Sequence, residues 1–120
     1  MENVDPAFTK IVPQIVNDVM AVAAQIDANW KTALISRRFS SDGSSMGKLR
    51  IELPKGDWDK SQRISIKVLD IIDNTWEKMN KKKKHKVFYG FQIAINSDGS
   101  HKIEYNYDPN CIDDPSFVDW

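Results

Sequence analysis

The chain has 120 residues, 41% of them apolar and 28% charged, and its 17 Lys and Arg balance its 17 Asp and Glu. That length suits one domain, 1–120, with a moderate core, and a net charge of zero gives no overall field toward nucleic acid or membrane. The single cysteine, Cys111, excludes an internal disulfide and a multi-cysteine metal site. No apolar run approaches the roughly 20 residues of a membrane span, and MENVDPAFTK lacks the basic-then-apolar layout of a signal peptide. The expectation is a cytoplasmic single domain.

Asp5-Pro6 is a helix start, the carboxylate capping free N–H groups and proline suiting the first helical position. Phe8, Ile11, Val12, Ile15, Val19, Val22 and Ile26 follow at spacings of three and four and draw one apolar stripe. Pro13 should either kink that helix or restart it, and because the stripe keeps phase across it a kink is favoured. Trp30 should close its end against a sheet. Lys31 to Phe39 is strand-like, with Ala33, Ile35 and Phe39 inward and Thr32, Ser36 and Arg38 outward. After a Ser/Asp/Gly loop, Leu49, Ile51 and Leu53 alternate with Lys48, Arg50 and Glu52, so the two strands form a hairpin.

Pro54-Lys55-Gly56-Asp57 breaks the pattern, and a second helix is expected to begin between Asp57 and Ser61. Its stripe is Ile64, Val68, Ile71, Ile72, Thr75 and Met79, flanked by Trp76, and its end carries the lysine run from Lys81, where positive charge complements the helix dipole. In the stretch Lys86 to Tyr107 the side chains alternate twice around an Asn-Ser-Asp-Gly-Ser turn. Val87, Tyr89, Phe91, Ile93 and Ile95 share one face of the first strand, and Ile103, Tyr105 and Tyr107 share one face of the second. This is a second β-hairpin. The whole predicts an α+β domain: a four-stranded antiparallel sheet with two helices packed on one face, in the order α-β-β-α-β-β.

Catalytic constellations do not emerge from these residues. His85 and His101 lack partners at ligand spacing, so no metal or other cofactor is expected. Cys111 has no local nucleophile signature, and Asp113 and Asp114 are adjacent, which points their side chains apart. The reading is a non-enzyme. Lys81, Lys82, Lys83, Lys84 and Lys86 could contact phosphates, but they lack interleaved arginine or aromatic residues, and a solvated helix end explains them as well. Glu104, Asp108, Asp113, Asp114 and Asp119 lie in a stretch without Lys or Arg, among Tyr105, Tyr107, Phe117 and Trp120. Such a surface docks a basic partner, charge steering encounter and aromatics anchoring it; equally, Tyr105 and Tyr107 are core and the acids keep the tail solvated.

The order of elements, with Ile103-Glu104-Tyr105-Asn106-Tyr107-Asp108 after the Asp98-Gly99 turn, resembles the YezG-like family of bacterial toxin-immunity proteins. The match to that family's strand–DG–strand ending in a YxYD-type segment covers about ten residues as a motif and most of the chain as an order of elements. The Pro54–Asp59 connection is shorter than is usual there. The resemblance implies an immunity protein of a polymorphic toxin or contact-dependent growth inhibition system. It would neutralise a cognate toxin domain, a nuclease by expectation, through stoichiometric occlusion. The partner is then that toxin domain, with no membrane and no direct nucleic-acid contact, and the protein a monomer or weak dimer. The toxin-binding residues would be Glu104, Tyr107, Asp108, Asp113, Asp114, Asp119 and Trp120. The alternative is a nucleic-acid or ribonucleoprotein adaptor using the lysine run 81–86.

Overall fold

Five antiparallel strands make one sheet, in the spatial order β3-β2-β1-β4-β5. The computed structural model describes residues 5–40, 42–82 and 87–113, and of Asp113 the backbone alone. In chain order the elements are α1 (Pro6–Thr9), α2 (Val12–Ile26), β1 (Thr32–Phe39), β2 (Ser45–Glu52), β3 (Trp58–Asp59), α3 (Ile66–Lys82), β4 (Gly90–Asn96) and β5 (His101–Asn106), then a 3-10 turn, Cys111–Asp113. The α+β class and the single antiparallel sheet agree with the sequence reading. The sheet has five strands rather than four, and the order of elements differs accordingly.

The extra strand explains why the second helix starts late. Leu53 N–H donates to Asp57 O (2.8 Å) and Gly56 N–H to Leu53 O (2.9 Å), which turns the chain back so that Trp58 and Asp59 pair with Glu52 and Ile51. Only after a further irregular stretch does α3 begin, at Ile66, where the Ser65 hydroxyl accepts from Val68 N–H (3.3 Å). A two-residue strand has no periodicity to betray it.

The N-terminal stripe holds, but its helix is divided. Asp5 Oδ1 accepts from Ala7 N–H at 2.9 Å, as a cap should, and α1 then stops after one turn. Pro13 has no N–H to offer Thr9, so the chain restarts at Val12, with the proline in the first turn of α2, instead of merely kinking. Phe8, Ile11, Val12, Ile15, Val16, Val19 and Ala23 are all buried on the same side.

The two hairpins join through their first strands. β1 runs antiparallel to both β2 and β4, with Ile35 opposite Leu49 on one side and Ile93 on the other. Ala33, Ile35, Arg37 and Phe39 therefore face the helices. On that face Phe39 stacks on Trp76 (centroids 4.7 Å apart, planes 5° apart). Trp76 Nε1 donates to Phe88 O at 2.6 Å, and Phe8 packs edge-on against Phe88 at 4.8 Å. Trp76 is thus the centre of the α3 stripe, with Val68, Ile72 and Met79, rather than its flank. Phe88 also departs from expectation. Its parity placed it outward, yet it is fully buried, because β4 begins only at Gly90 and the residues before it do not alternate. Trp30 closes the core at 5% exposure. Arg37, which sits among these apolar residues, is matched by Asp73 of α3 through two hydrogen bonds, 2.8 and 3.0 Å.

A candidate binding face on the helix-free side of the sheet

The other side chains of the same strands form a second face, and the ladders fix its rows. Arg38, Gly90 and Asn106 lie in register across β1, β4 and β5; Ser36, Gln92 and Glu104 follow; Leu34, Ala94 and Lys102 come next. β2 extends these rows with Met46, Lys48 and Arg50. This face is polar where the opposite one is aromatic.

A concavity of about 270 Å³ lies among Ser36, Arg38, Gln92, Glu104, Asn106 and Tyr107. Its floor is dry at two points. Ser36 is 2% exposed and its hydroxyl has no hydrogen-bond partner among the described residues, an arrangement that costs folding free energy. Arg38 is 9% exposed and its guanidinium donates to the Cys111 carbonyl. Cys111 is buried here, its thiol reaching Tyr89 O at 3.2 Å, and a methyl group on Gly90 would come within 3.3 Å of its sulfur. A side chain at Gly90 would crowd the 3-10 turn where it rests on the sheet.

The expected toxin-binding residues fall in three groups. Glu104 and Tyr107 do come together at this concavity. Glu104 does not stand free of cations, however: alternate residues of a strand share a face, and Lys102 Nζ lies 3.7 Å from it. Tyr107 is half-buried against the core, and Tyr105 belongs to the aromatic cluster, 4.9 Å from Phe88 and 6.1 Å from Phe8. Asp108 is exposed beside them and accepts from Asn110 N–H at 2.9 Å. Asp113 ends the 3-10 turn, its side chain undescribed, and Asp114, Asp119 and Trp120 lie outside the described residues, as does Phe117. Of the lysine run, Lys81 and Lys82 close α3, Lys81 within 3.5 Å of Glu77 one turn earlier; Lys83, Lys84, His85 and Lys86 lie outside.

Ser36, Arg38, Gln92 and Asn106 escaped the sequence reading because their parity is that of outward residues. The signal that would have found them is the central place of β1. A strand paired on both sides has its outward side chains shielded by neighbours, so a serine and an arginine there are not simply solvated.

Three Asp-x-Ser turns recur at the loops. Asp42, Asp59 and Asp98 each accept from the hydroxyl and the N–H of the serine two residues on, with the Asp98–Ser100 pair at 2.6 and 2.9 Å. These bonds, the hydroxyl's first, hold all three carboxyls below the ordinary aspartate range. Among the described residues no cluster of His, Cys, Asp and Glu could hold a metal ion, and no helix is long and apolar enough to cross a membrane.

No protein-family model matches the chain, and none of the curated proteins compared with it is significantly similar.

Proposed function

We propose that this chain is an immunity protein that binds a cognate toxin domain, a nuclease by expectation, and neutralises it by stoichiometric occlusion through the helix-free face. The observation that carries the reading is the concavity of about 270 Å³ on which Gln92, Glu104 and Asn106 converge above the buried Ser36. Polar groups that converge on a hollow suit a partner that supplies donors to them. Glu104 offers a carboxylate and Asn106 and Gln92 offer amides, a set that fits a basic protein surface better than a small apolar ligand. The aromatic core beneath holds the strands in place, so binding needs no rearrangement of the sheet. The protein acts in the cytoplasm of the cell that makes the toxin, and needs no cofactor or catalytic group.

The test is whether the neighbouring upstream reading frame encodes a toxin domain and whether this protein inhibits it. Titration should abolish its activity at a one-to-one ratio, with a matching calorimetric stoichiometry. Inhibition at far lower ratios would mean turnover, and no complex at all would remove the reading. The adaptor alternative is settled on the same preparation by titrating RNA and DNA at two salt concentrations. Useful affinity with a steep salt slope supports it.

A further inference from the structure

Among the described residues, β2 is paired along its length on one side only. β1 covers Ser45 to Glu52, whereas β3 reaches only Ile51 and Glu52. Residues 46–50 therefore form an open edge about 17 Å long, at roughly 3.4 Å per residue. Backbone groups of an antiparallel strand point alternately to its two sides. Leu53 N–H turns toward β3 to reach Asp57 O, so Leu49 and Gly47 turn their N–H and C=O groups the same way, where β3 does not extend.

Those groups look into a hollow of about 700 Å³ between the β2 edge and the 60–64 segment that leads to α3. The helix-side wall is apolar: Leu49 and Ile64 are buried at 6% each, with Leu69 beside them. Met46, 44% exposed, lies at one end. The charged lining is all of one sign, consisting of Arg37, Lys48, Arg50, Lys60 and Arg63. Arg37 is neutralised by Asp73. Arg50, Lys60 and Arg63 form no ion pair among the described residues.

We propose that the open edge of β2, from Met46 to Arg50, is a docking site for an extended acidic segment of a protein partner, which adds to the sheet as a further strand. The backbone groups of Gly47 and Leu49 supply the ladder. The occupant's alternate side chains then separate by chemistry. Apolar ones face Leu49, Ile64 and Leu69, and acidic ones on the other face meet Lys48 and Arg50 across the strand pair. Lys60 and Arg63 complete the attraction from the far wall. A polyanion without a strand's backbone, such as RNA, would satisfy the cations but leave the edge and the apolar wall unused. The inference stands independently of the toxin reading, which concerns the helix-free face.

The test uses the full chain, isotope-labelled, and an acetylated, amidated peptide of alternating Val and Glu about ten residues long. The amide signals of Gly47 and Leu49 should shift on titration and their hydrogen exchange should slow. A Val-Lys peptide of the same length should do neither. Lys60→Glu and Arg63→Glu, both at exposed positions, should each weaken the peptide by about tenfold while the melting temperature holds. Shifts at Arg50, Lys60 and Arg63 without slowed exchange at Gly47 and Leu49 would overturn strand addition. Tighter binding of a single-stranded RNA of equal charge would overturn the choice of partner. Absence of binding at millimolar peptide would mean that the cations serve only to keep the edge from pairing with copies of itself.

Discussion

The two faces of this sheet are made by the same strands and do opposite things. On the helix side, Phe39, Phe91, Ile93 and Ile95 are all buried at 3% exposure or less, and Arg37 of β1 is answered by Asp73. On the other side the same strands present Ser36, Arg38, Gln92 and Glu104, Ser36 being buried with a hydroxyl that has no partner among the described residues. A period of two guarantees two faces; it does not guarantee that the second is merely solvated. Apolar burial is concentrated on one face, which leaves polar side chains to the other.

The largest expected effect lies on the first face. Ile93 is fully buried between Ile35 and Ile103 in the ladder, so Ile93→Ala should cost about 2–5 kcal/mol in denaturant unfolding. A loss below about 0.5 kcal/mol would mean that the core does not depend on this face. Gly47 sharpens the comparison at the sheet's margin. A methyl group there would lie 2.7 Å from Ser36 O and 2.9 Å from an Arg37 nitrogen. Gly47→Ala should therefore cost about 1–3 kcal/mol, as overpacking does, and should disturb the Arg37–Asp73 pair visibly in side-chain NMR.

Much of the fold was legible because alternation and helical stripes are local. Leu49 and Ile51, or Phe91 and Ile93, declare their face without reference to the rest of the chain. The misses were non-local or too short. Nothing in Trp58-Asp59 announces a strand, since its pairing depends on a turn at Leu53–Asp57. Trp76 became the centre of its helix face because Phe39 and the Phe88 carbonyl come to meet it from distant positions. The site was half legible: Glu104 and Tyr107 carry a visible motif, but Ser36 and Arg38 acquire meaning only once β1 is known to be the central strand. The cations of the β2 groove are spread over β1, β2 and the 60–64 segment, so no run in the sequence marks them.

The second face should respond in the opposite sense. Ser36→Ala removes a hydroxyl with no described partner, so unfolding experiments should show no loss of stability, and a gain of up to about 1 kcal/mol is expected. A clear loss would mean that the hydroxyl is satisfied after all. The smallest effect is that of the Asp-x-Ser turns, which belong to neither face. Asp98 is held below the ordinary value by Ser100. A depressed folded-state value gives stabilisation that is complete above the unfolded value, about 3.9, and is lost as pH falls through the folded one. Ser100→Ala should raise the Asp98 titration midpoint toward that ordinary value, as read by carboxyl NMR, and soften the acid limb of the stability profile slightly. An unmoved midpoint would remove the hydroxyl as the main cause.

On the proposed reading the helix-free face binds while the helix face holds the fold. The most direct measurement is the affinity of a Gln92→Lys, Glu104→Lys double variant for the proposed cognate toxin domain, taken together with its melting temperature. The account predicts an affinity at least about tenfold weaker, from like-charge contact with a basic partner, and a melting temperature close to that of the unaltered protein. Unchanged affinity in a folded variant would contradict it.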